Sequence, residues 1–383
     1  MAYGWHRLPT SVPSDTPPHV VVIGASAGGL DPLIAIVTEL PRSLQACVLV
    51  VMHTSSNGTG VLPQILARAS SLPVAFAEDG DELRPGHIYV ARPDYHVIVD
   101  SGTLLAVVHG PRENGFRPAI DPLFRTAARQ LGPRVIGVIL SGALSDGTYG
   151  LSMIKHYGGV AIVQDPEEAV VRSMPQSALK YVDVDLVLPA AKIAASIERL
   201  VEPGGERKGG WEMARAKDVE PQLQSQSTEV ADMTSLFGPP SGLTCPDCGG
   251  ALWEIEERRV LRYQCHVGHQ YAPENLEAGQ RDVIDGALWS AVRVLEEHAE
   301  LKQRLADRAA TGGLNVVSEG FAEGAREARE QADRIRSVLL SSNDSPAAKV
   351  TARRPPPAAA SHGSRVRTSD GGSRSARRRR RRG

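Results

Sequence analysis

The feature that most constrains the fold of this chain is an alternation, over residues 19–201, of continuous Val/Ile/Leu runs with helix-like stretches. The runs, such as "HVVVIGA", "ACVLVVMH" and "RVIGVILSG", are apolar throughout rather than at every second position. Strands that are buried on both faces of a parallel sheet have this composition, and the intervening helices cover the two faces. The sequence therefore predicts the α/β class: a doubly wound, mostly parallel sheet with helices on both faces. The region 74–108 is richer in short strands and predicts an added hairpin at one edge of the sheet.

Shifts in composition divide the 383 residues into six predicted segments. One stretch is rich in Gly, Pro, Gln and Ser without a sustained period, which is typical of a linker. The C-terminal residues are rich in Pro, Ala, Ser and Arg, which is typical of disorder. The predicted segments are a disordered N-terminus (1–18), the α/β domain (19–202), the linker (203–242), a small cysteine-bearing, zinc-ribbon-like module (243–276), a helical hairpin (277–342) and a disordered Arg-rich tail (343–383).

The second helical stretch carries one apolar stripe whose members are spaced alternately by four and three positions. Two helices that pack on each other explain such a stripe, and so does a coiled coil that recruits a partner. We favour the self-packed hairpin. The stripe consists of Phe321, Ala325, Ala328, Ala332, Ile335 and Leu339.

The composition, with 42% hydrophobic and 23% charged residues, is that of a soluble globular protein. No apolar run approaches the ~18 residues that a membrane span needs, and the N-terminus lacks the apolar segment of a secretion signal. These features predict a cytoplasmic protein without a membrane span.

The first predicted strand ends in the glycine-rich hexad "GASAGG", residues 24–29. A dinucleotide-binding turn needs G-x-G-x-x-G, but Ser26 stands where the second glycine belongs. Leu30 and Asp31 likewise stand where a G-x-x-x-x-G-K-[ST] phosphate loop needs Lys and Ser/Thr. The hexad matches G-x-S-x-G instead, a strand-to-helix turn that presents a serine nucleophile. The backbone N–H of Ala27, at the start of the following helix, is then placed to donate to a developing oxyanion.

Two further titratable residues follow predicted strands. His53 comes directly after "VLVVM", and Asp146 lies in the loop after "RVIGVIL". If the strands are parallel, both residues emerge with Ser26 at the carboxyl edge of one sheet, where open α/β sheets build their sites. A serine nucleophile needs a base, and a histidine base needs an acceptor that fixes its tautomer. The chain order Ser…His…Asp differs from the Ser…Asp…His order of α/β-hydrolases and disfavours that family.

Residues 19–201 resemble the catalytic domain of the chemotaxis protein-glutamate methylesterases, the CheB family. The stretches that carry the resemblance are "VVVIGASAGGLDPL", "VLVVMHTS", "IYVARPDYHVIVD", "RPAIDPLFRTAA", "GVILSGALSDGTYGL" and "AIVQDPEEAVVRSMPQSAL". The resemblance implies a catalytic triad of Ser26, His53 and Asp146 that needs no cofactor. The implied reaction hydrolyses glutamyl γ-methyl esters on the methylated cytoplasmic helices of chemoreceptors and releases methanol. Deamidation of receptor glutamine at the same site is also implied.

Three departures from the family pattern affect what the resemblance implies. Ala27 stands where the family often has threonine, and "GAL" at 142–144 stands where it often has Gly-Met-Gly. The family often has an N-terminal receiver domain that covers the active site, whereas 18 residues precede the first predicted strand here. We therefore expect an enzyme that is constitutively open, or one that its C-terminal half or a separate regulatory protein controls.

Three of the four cysteines cluster late in the chain, in "CPDCGG" and, sixteen residues further on, "CHVGH". In a reducing compartment this clustering indicates metal binding rather than disulfides. The expected ligands of a closed, structural zinc site are Cys245, Cys248, Cys265 and either His266 or His269. We favour His269, because adjacent residues 265 and 266 converge on one ion only with strain. Cys47 lies in an apolar run and is expected to pack in the core.

Charge is distributed unevenly along the chain. Residues 351–383 hold 11 arginines and one acid, so residues 1–350 carry 32 basic groups against 43 acidic groups. The tail can attract a polyanion, including nucleic acid, but it lacks the interleaved aromatic residues that stack on bases. A nucleic-acid-linked regulator therefore stays open beside the esterase. The departures at Ala27 and at 142–144 leave a second alternative open: a non-catalytic scaffold that binds receptors and recruits partners through its zinc and helical modules.

Overall fold

A computed structural model of the protein describes residues 18–54, 58, 60–202, 234, 236–257 and 260–342. Nine strands come from the first half of the chain: β1 (His19–Ala25), β2 (Ala46–Met52), β3 (Val74–Phe76), β4 (Ile88–Val90), β5 (His96–Val99), β6 (Leu105–Val108), β7 (Val135–Ile139), β8 (Val160–Gln164) and β9 (Leu186–Leu188). Seven of them form one sheet in the order β3-β4-β2-β1-β7-β8-β9, and every neighbouring pair is parallel.

Six helices cover the two faces of this sheet. They are α1 (Leu30–Glu39), α2 (Leu62–Ala69), α3 (Ile120–Leu131), α4 (Thr148–His156), α5 (Ser173–Tyr181) and α6 (Ala190–Val201). The apolar residues of α1, α2 and α6 pack on one face, and those of α3, α4 and α5 pack on the other. The predicted doubly wound α/β fold is confirmed. The run of β1 is apolar throughout because this strand lies in the centre of the sheet, where residues 20–23 are completely buried from both sides.

The order of the strands places a topological switch point at the middle of the sheet. The chain passes from β1 through α1 to β2 on one side of β1, and it later passes through α3 to β7 on the other side. In open α/β sheets, the crevice for a ligand lies at such a point, beyond the carboxyl ends of the strands. The ends of β1, β2 and β7 are therefore where the site is expected.

The predicted hairpin exists, but its predicted place at the edge of the main sheet is wrong. Strands β5 and β6 pair with each other in antiparallel fashion and form a separate two-stranded sheet. This hairpin packs against α3, and its Val97, Val99 and Leu105 enter the core on that face. Strands β3 and β4, from the same region of the sequence, are parallel members of the main sheet.

The C-terminal part contains a small sheet and two long helices. Strands β10 (Leu252–Glu257), β11 (Val260–Cys265) and β12 (Gln270–Tyr271) form an antiparallel sheet, followed by α7 (Pro273–Thr311) and α8 (Asn315–Ser342). The first helix thus begins four residues before the expected boundary at 277. The reason is that Leu276, in its first turn, packs into the core of the cysteine module.

The two long helices pack on each other as the favoured hairpin requires. Ala332 and Leu339 of the apolar stripe are buried against Val292 of α7, with Ile335 packed beside them. None of the helices in the described part of the chain is long and apolar enough to cross a membrane. The predicted disordered N-terminus lies outside the described residues except Pro18, as do nearly all of the linker and the whole tail.

Candidate active site and metal centre

The ends of three neighbouring parallel strands bring the predicted site residues together. Ser26 follows β1, His53 follows β2, and Asp146 lies in the loop after β7. The register pairs Ala25 with Met52, so Ser26 and His53 leave the sheet at the same level. The backbone strengthens this juxtaposition, because the N–H of His53 donates to the carbonyl of Ala25 over 3.0 Å.

His53 lies between the other two residues and bonds to both. Its Nδ1 is 3.1 Å from Ser26 Oγ, and its Nε2 is 2.6 Å from Asp146 Oδ2. If Nε2 carries the proton and donates to the carboxylate, Nδ1 presents its lone pair to the serine hydroxyl. This arrangement allows the histidine to accept the serine proton while the carboxylate holds the ring.

Asp146 is completely buried, and several donors surround its carboxylate. Burial by itself raises the pKa of Asp146, but hydrogen bonds and the neighbouring histidine outweigh it and lower the pKa below its ordinary value. The carboxylate also lies at the N-terminus of α3, where the helix dipole favours a negative charge. Its donors are His53 Nε2, the backbone N–H groups of Ile120, Asp121 and Gly147, and Asn114 Nδ2.

A second buried carboxyl group, Asp121, lies beside Asp146 in the first turn of α3. Burial and then the charge of Asp146 raise the pKa of Asp121 well above its ordinary value. The backbone N–H of Gly150 donates to Asp121 Oδ1 over 2.7 Å. Two carboxyl groups in one desolvated site favour a single negative charge, and the donors around Asp146 place that charge there.

Hydrogen bonds connect the serine turn to the loop after β7. Ser26 N–H donates to the carbonyl of Ser141, and Ser141 Oγ donates to the carbonyl of Ala27 over 2.9 Å. Ser26 itself is 8% exposed, whereas Ala27 is exposed. The expectation that Ala27 begins the following helix is wrong, because α1 starts at Leu30. The hexad ends in two glycines that carry the chain past the serine before helical geometry begins.

The N–H of Ala27 nevertheless remains available to an oxyanion. Among the described residues, nothing accepts a hydrogen bond from it. The N–H groups of Gly142 and Leu144, in the loop that departs from the family pattern, donate to Val171 O and Ser173 Oγ. Those two groups are therefore used inside the protein rather than at the site.

Two residues at the site were missed by reasoning from the sequence. The ring of Phe116 stacks on the ring of His53, with centroids 3.7 Å apart and planes 9° from parallel. Asn114 donates to Asp146 from the other side of the carboxylate. Both lie in a turn that the bidentate ion pair of Glu113 with Arg125 anchors to α3. Only the "NG" pair at 114–115 signalled a turn here, and nothing in the sequence indicated that this turn meets His53 and Asp146.

The four predicted metal ligands converge in the C-terminal module. The ligand atoms of Cys245, Cys248, Cys265 and His269 all lie within 4.8 Å of one another. Cys248 Sγ is 3.7 Å from Cys265 Sγ, and His269 Nδ1 is 3.5 Å from Cys265 Sγ. Sulfur atoms bound to one zinc ion at about 2.3 Å lie about 3.8 Å apart in tetrahedral geometry, so the donor set fits zinc. His266, the alternative ligand, is outside this group.

The α/β domain is similar to known proteins. The family described as CheB methylesterase matches residues 21–197, the segment that contains the whole main sheet apart from the first two residues of β1. A protein of Leptospira interrogans is 38% identical over 188 residues, which are 49% of this chain and 97% of that relative. The chain belongs to the CheB methylesterase family.

Other members of this family are longer than the matched segment. A Moorella thermoacetica relative, named protein-glutamate methylesterase/protein-glutamine glutaminase, is 40% identical over 190 residues, which are 49% of this chain and 45% of that protein. A Nitrosospira multiformis relative of the same name is 36% identical, with 51% of this chain and 55% of that protein covered. The chain thus spans about half the length of these two relatives.

A solved structure matches the same part of the chain. The crystal structure of the Thermotoga maritima CheB methylesterase catalytic domain is 37% identical, with a TM-score of 0.47, and the match covers 49% of this chain and 100% of that one. The Cys/His module and the helical hairpin lie beyond the residues that the family matches.

Proposed function

We propose that this protein is a protein-glutamate methylesterase that hydrolyses glutamyl γ-methyl esters with a Ser26–His53–Asp146 triad. One observation carries the proposal: a single histidine lies within hydrogen-bond reach of both a serine hydroxyl and a buried carboxylate. Membership of the CheB methylesterase family and the names of the relatives support the ester as substrate.

The first half of the reaction forms an acyl-enzyme. Ser26 Oγ attacks the ester carbonyl as its proton moves to His53 Nδ1, and the carbonyl oxygen becomes an oxyanion that the N–H of Ala27 is placed to stabilise. The C–O bond to the methoxy group then breaks. The leaving group takes the proton from His53 and departs as methanol, while Asp146 stabilises the transient imidazolium.

The second half regenerates the enzyme. Water attacks the glutamyl–serine ester as His53 removes its proton, and collapse of the tetrahedral intermediate returns that proton to Ser26 Oγ. The product is a free glutamate side chain. A glutamine side chain follows the same steps with ammonia as the leaving group, which agrees with the second activity in the relatives' names.

The proposed substrates are the methylated cytoplasmic helices of chemoreceptors, and the proposed compartment is the cytoplasm. The exposed turn around Ala27 supports a substrate of this size, because a side chain that projects from a helix can approach it from solvent. The triad needs only water as co-reactant, so the proposed catalysis uses no cofactor.

Replacement of the nucleophile tests the proposal directly. We expect Ser26→Ala to lower methanol release from a methylated receptor by about a thousandfold or more, because no other group supplies the attacking oxygen. Ser101→Ala, at an exposed turn between β5 and β6, is the matched control and retains the rate of the unaltered protein. Undiminished methanol release by Ser26→Ala would contradict the assignment.

A fluorophosphonate probe separates the esterase from a non-catalytic scaffold. The probe reacts with a serine whose hydroxyl is activated, so we expect labelling at Ser26 that is lost in His53→Gln. A protein that binds receptor without reacting with the probe would support the scaffold instead.

We further propose that the module binds one structural zinc ion through Cys245, Cys248, Cys265 and His269. The distances between their ligand atoms support this set. A site with four protein ligands leaves no open position for a substrate, so the ion would stabilise the fold of the module. Elemental analysis should find one zinc ion per chain, and Cys245→Ser should lower that content while Cys47→Ala, in the core of the sheet, keeps it. Equal zinc content in both variants would refute the site.

A further inference from the structure

The C-terminal module contacts the α/β domain through the turn that carries Asn114. Three of its residues bond to Asn114: the carbonyl of Gln270 accepts from the backbone N–H over 2.7 Å, and the N–H of Ala272 donates to the side-chain oxygen over 2.8 Å. Asn275 Nδ2 donates to the backbone carbonyl of Asn114 over 3.2 Å. The module therefore holds both the backbone and the side chain of this asparagine.

The amide nitrogen of the same side chain bonds to the carboxylate of the triad. Asn114 Nδ2 donates to Asp146 Oδ1 over 2.8 Å and to Asp121 Oδ2 over 2.9 Å. Because the side-chain oxygen already accepts from Ala272, only one orientation of the amide satisfies all three bonds. Asn114 is 5% exposed, so its amide makes these bonds in the interior of the protein. One buried amide thus connects the module to the carboxylate that orients His53.

The contact is reinforced on both sides of Asn114. Ser145, the neighbour of Asp146, donates from Oγ to Asn275 Oδ1 over 2.7 Å. The guanidinium of Arg262 in β11 lies 3.8 Å from the ring centre of Tyr149 in α4. A cavity of about 70 Å³ lies between the two surfaces beside these contacts. Val260 of β11 joins the hydrophobic core on the α3 face of the main sheet, so the module docks through apolar packing as well as through specific bonds.

The residues of the module that bond to Asn114 lie next to its metal-ligand cluster in the sequence. Gln270 and Ala272 are one and three residues beyond His269, and Gln270 pairs with Gln264 of β11, the neighbour of Cys265. The cluster and the Asn114 contact therefore belong to one small rigid unit.

We propose that Asn114 is a positioning residue for Asp146, and that the Cys/His module holds it in that role. The inference rests on the proposed esterase function and adds to it that residues beyond the family's matched segment hold the asparagine that bonds to the triad carboxylate. Asn114 acts through Asp146 and does not touch substrate, because it bonds to Oδ1 while His53 bonds to Oδ2.

The expected consequence is electrostatic as well as geometric. The titratable groups that face Asp146 are His53, Asp121 and the buried His96 of β5, and the Glu113–Arg125 ion pair anchors the turn that carries Asn114. Removal of the amide leaves the Asp146 carboxylate with one fewer donor, which raises its pKa and makes the Asp146–His53 pair hold a proton more strongly. The acidic limb of the pH–rate profile then moves to higher pH.

Asn114→Gly tests the proposal with little change to the backbone. Asn114 has a φ of 54°, which glycine adopts readily, and the backbone bonds to Gln270 and Asn275 are retained. We expect kcat for methanol release to fall about tenfold or more, KM to stay unchanged, and the acidic limb of fluorophosphonate labelling at Ser26 to move to higher pH. A wild-type kcat and acidic limb in Asn114→Gly would overturn the proposal.

Asn275→Ala, in the full-length protein, tests the part played by the module. It removes the bond to the Asn114 carbonyl and the bond from Ser145 but leaves the triad residues and the Asn114 amide in place, so we expect a smaller loss of kcat and a smaller shift of the acidic limb in the same direction. Glu277→Ala, at an exposed position two residues after Asn275, is the control and retains wild-type values. If Asn114→Gly does not fold, Asn275→Ala decides alone, and wild-type kinetics in it would overturn the role of the module.

The experiments distinguish failure of the positioning role of Asn114 from failure of the proposed esterase function. A wild-type protein that neither releases methanol nor reacts with the probe contradicts the esterase. An active wild-type protein with unaffected Asn114 and Asn275 variants contradicts only the positioning role.

Discussion

At the scale of single residues, the serine turn depends on a glycine that no other residue replaces easily. Gly28 has a φ of 72°, in the left-handed region that disfavours side chains. A Cβ at this position would lie 2.6 Å from Val170 Cβ and 2.9 Å from Ser141 Oγ. The same Ser141 hydroxyl fastens the turn, so a shift there displaces the nucleophile.

We predict that Gly28→Ala lowers both stability and turnover. The backbone strain and the close contacts together should reduce the free energy of unfolding by about 2–4 kcal/mol, and kcat should fall because Ser26 moves. Gly80→Ala is the matched control, since Gly80 has a φ of 80° but nothing within 4 Å of its Cβ position. Urea denaturation and methanol release measure both effects. Equal losses of stability in the two variants would show that the contacts at Gly28 are unimportant.

At the scale of secondary structure elements, the helical hairpin is held by small residues. Ala325, Ala328 and Ala332 of α8 are buried, and their short side chains allow α7 to approach closely. The opposite faces of both helices are exposed and carry ion pairs such as Arg293–Glu297, which contribute little to stability. Apolar packing between α7 and α8, rather than these ion pairs, therefore accounts for most of the stability of the hairpin.

We predict that Ala332→Glu separates the two helices. A glutamate at this position must either be buried without a partner or push α7 away, which should cost at least about 2 kcal/mol. Ala287→Glu places the same charge on an exposed position of α7 and should be nearly neutral. Thermal melting followed by circular dichroism, with limited proteolysis of the hairpin, reports the difference. Identical melting curves for both variants would contradict the packing.

At the scale of the whole molecule, the chain combines an acidic body with a basic C-terminus. Residues 1–350 carry 43 acidic groups against 32 basic ones, and 11 arginines follow after residue 350. Multiple arginines bind polyanions mainly through release of counterions, which makes binding strongly dependent on salt.

We predict that removal of residues 351–383 abolishes binding to DNA. The full chain should retard a duplex at low salt, with a retardation that declines steeply as salt increases, whereas the shortened chain should not retard it. A full-length variant with glutamine in place of all 11 arginines of residues 351–383 is the control for chain length and should behave like the shortened chain. Retardation by residues 1–350 alone would place the polyanion site elsewhere.

Much of the fold and the site could be predicted because the signals are local. A strand that is buried on both faces must be apolar at every position, so the Val/Ile/Leu runs of β1, β2 and β7 are recognisable as buried strands in the sequence. A residue that follows such a strand lies at the carboxyl edge of the sheet, which is why Ser26 and His53 could be placed together without a structure. The spacing of the cysteines similarly predicted which side chains converge in the module.

The remaining features depend on contacts between distant parts of the chain. The β5–β6 hairpin leaves the main sheet because its apolar residues pack on α3, and no pattern within residues 96–108 distinguishes that position from a sheet edge. Phe116 and Asn114 lie in a short polar turn with no periodicity of their own. Their partners, His53 on one side and residues 270–275 on the other, are selected only when the separate elements pack together.

The sequence by itself determined the α/β class, the three strand-end residues and the cluster of three cysteines and one histidine, because each follows from a local pattern of apolar residues or from local spacing. Only the tertiary structure decided that the Cys/His module docks beside Asp146 and holds Asn114 there. The physical reason is that Asn114 and Gln270 are 156 positions apart, and a hydrogen bond between them exists only after both domains have folded and met.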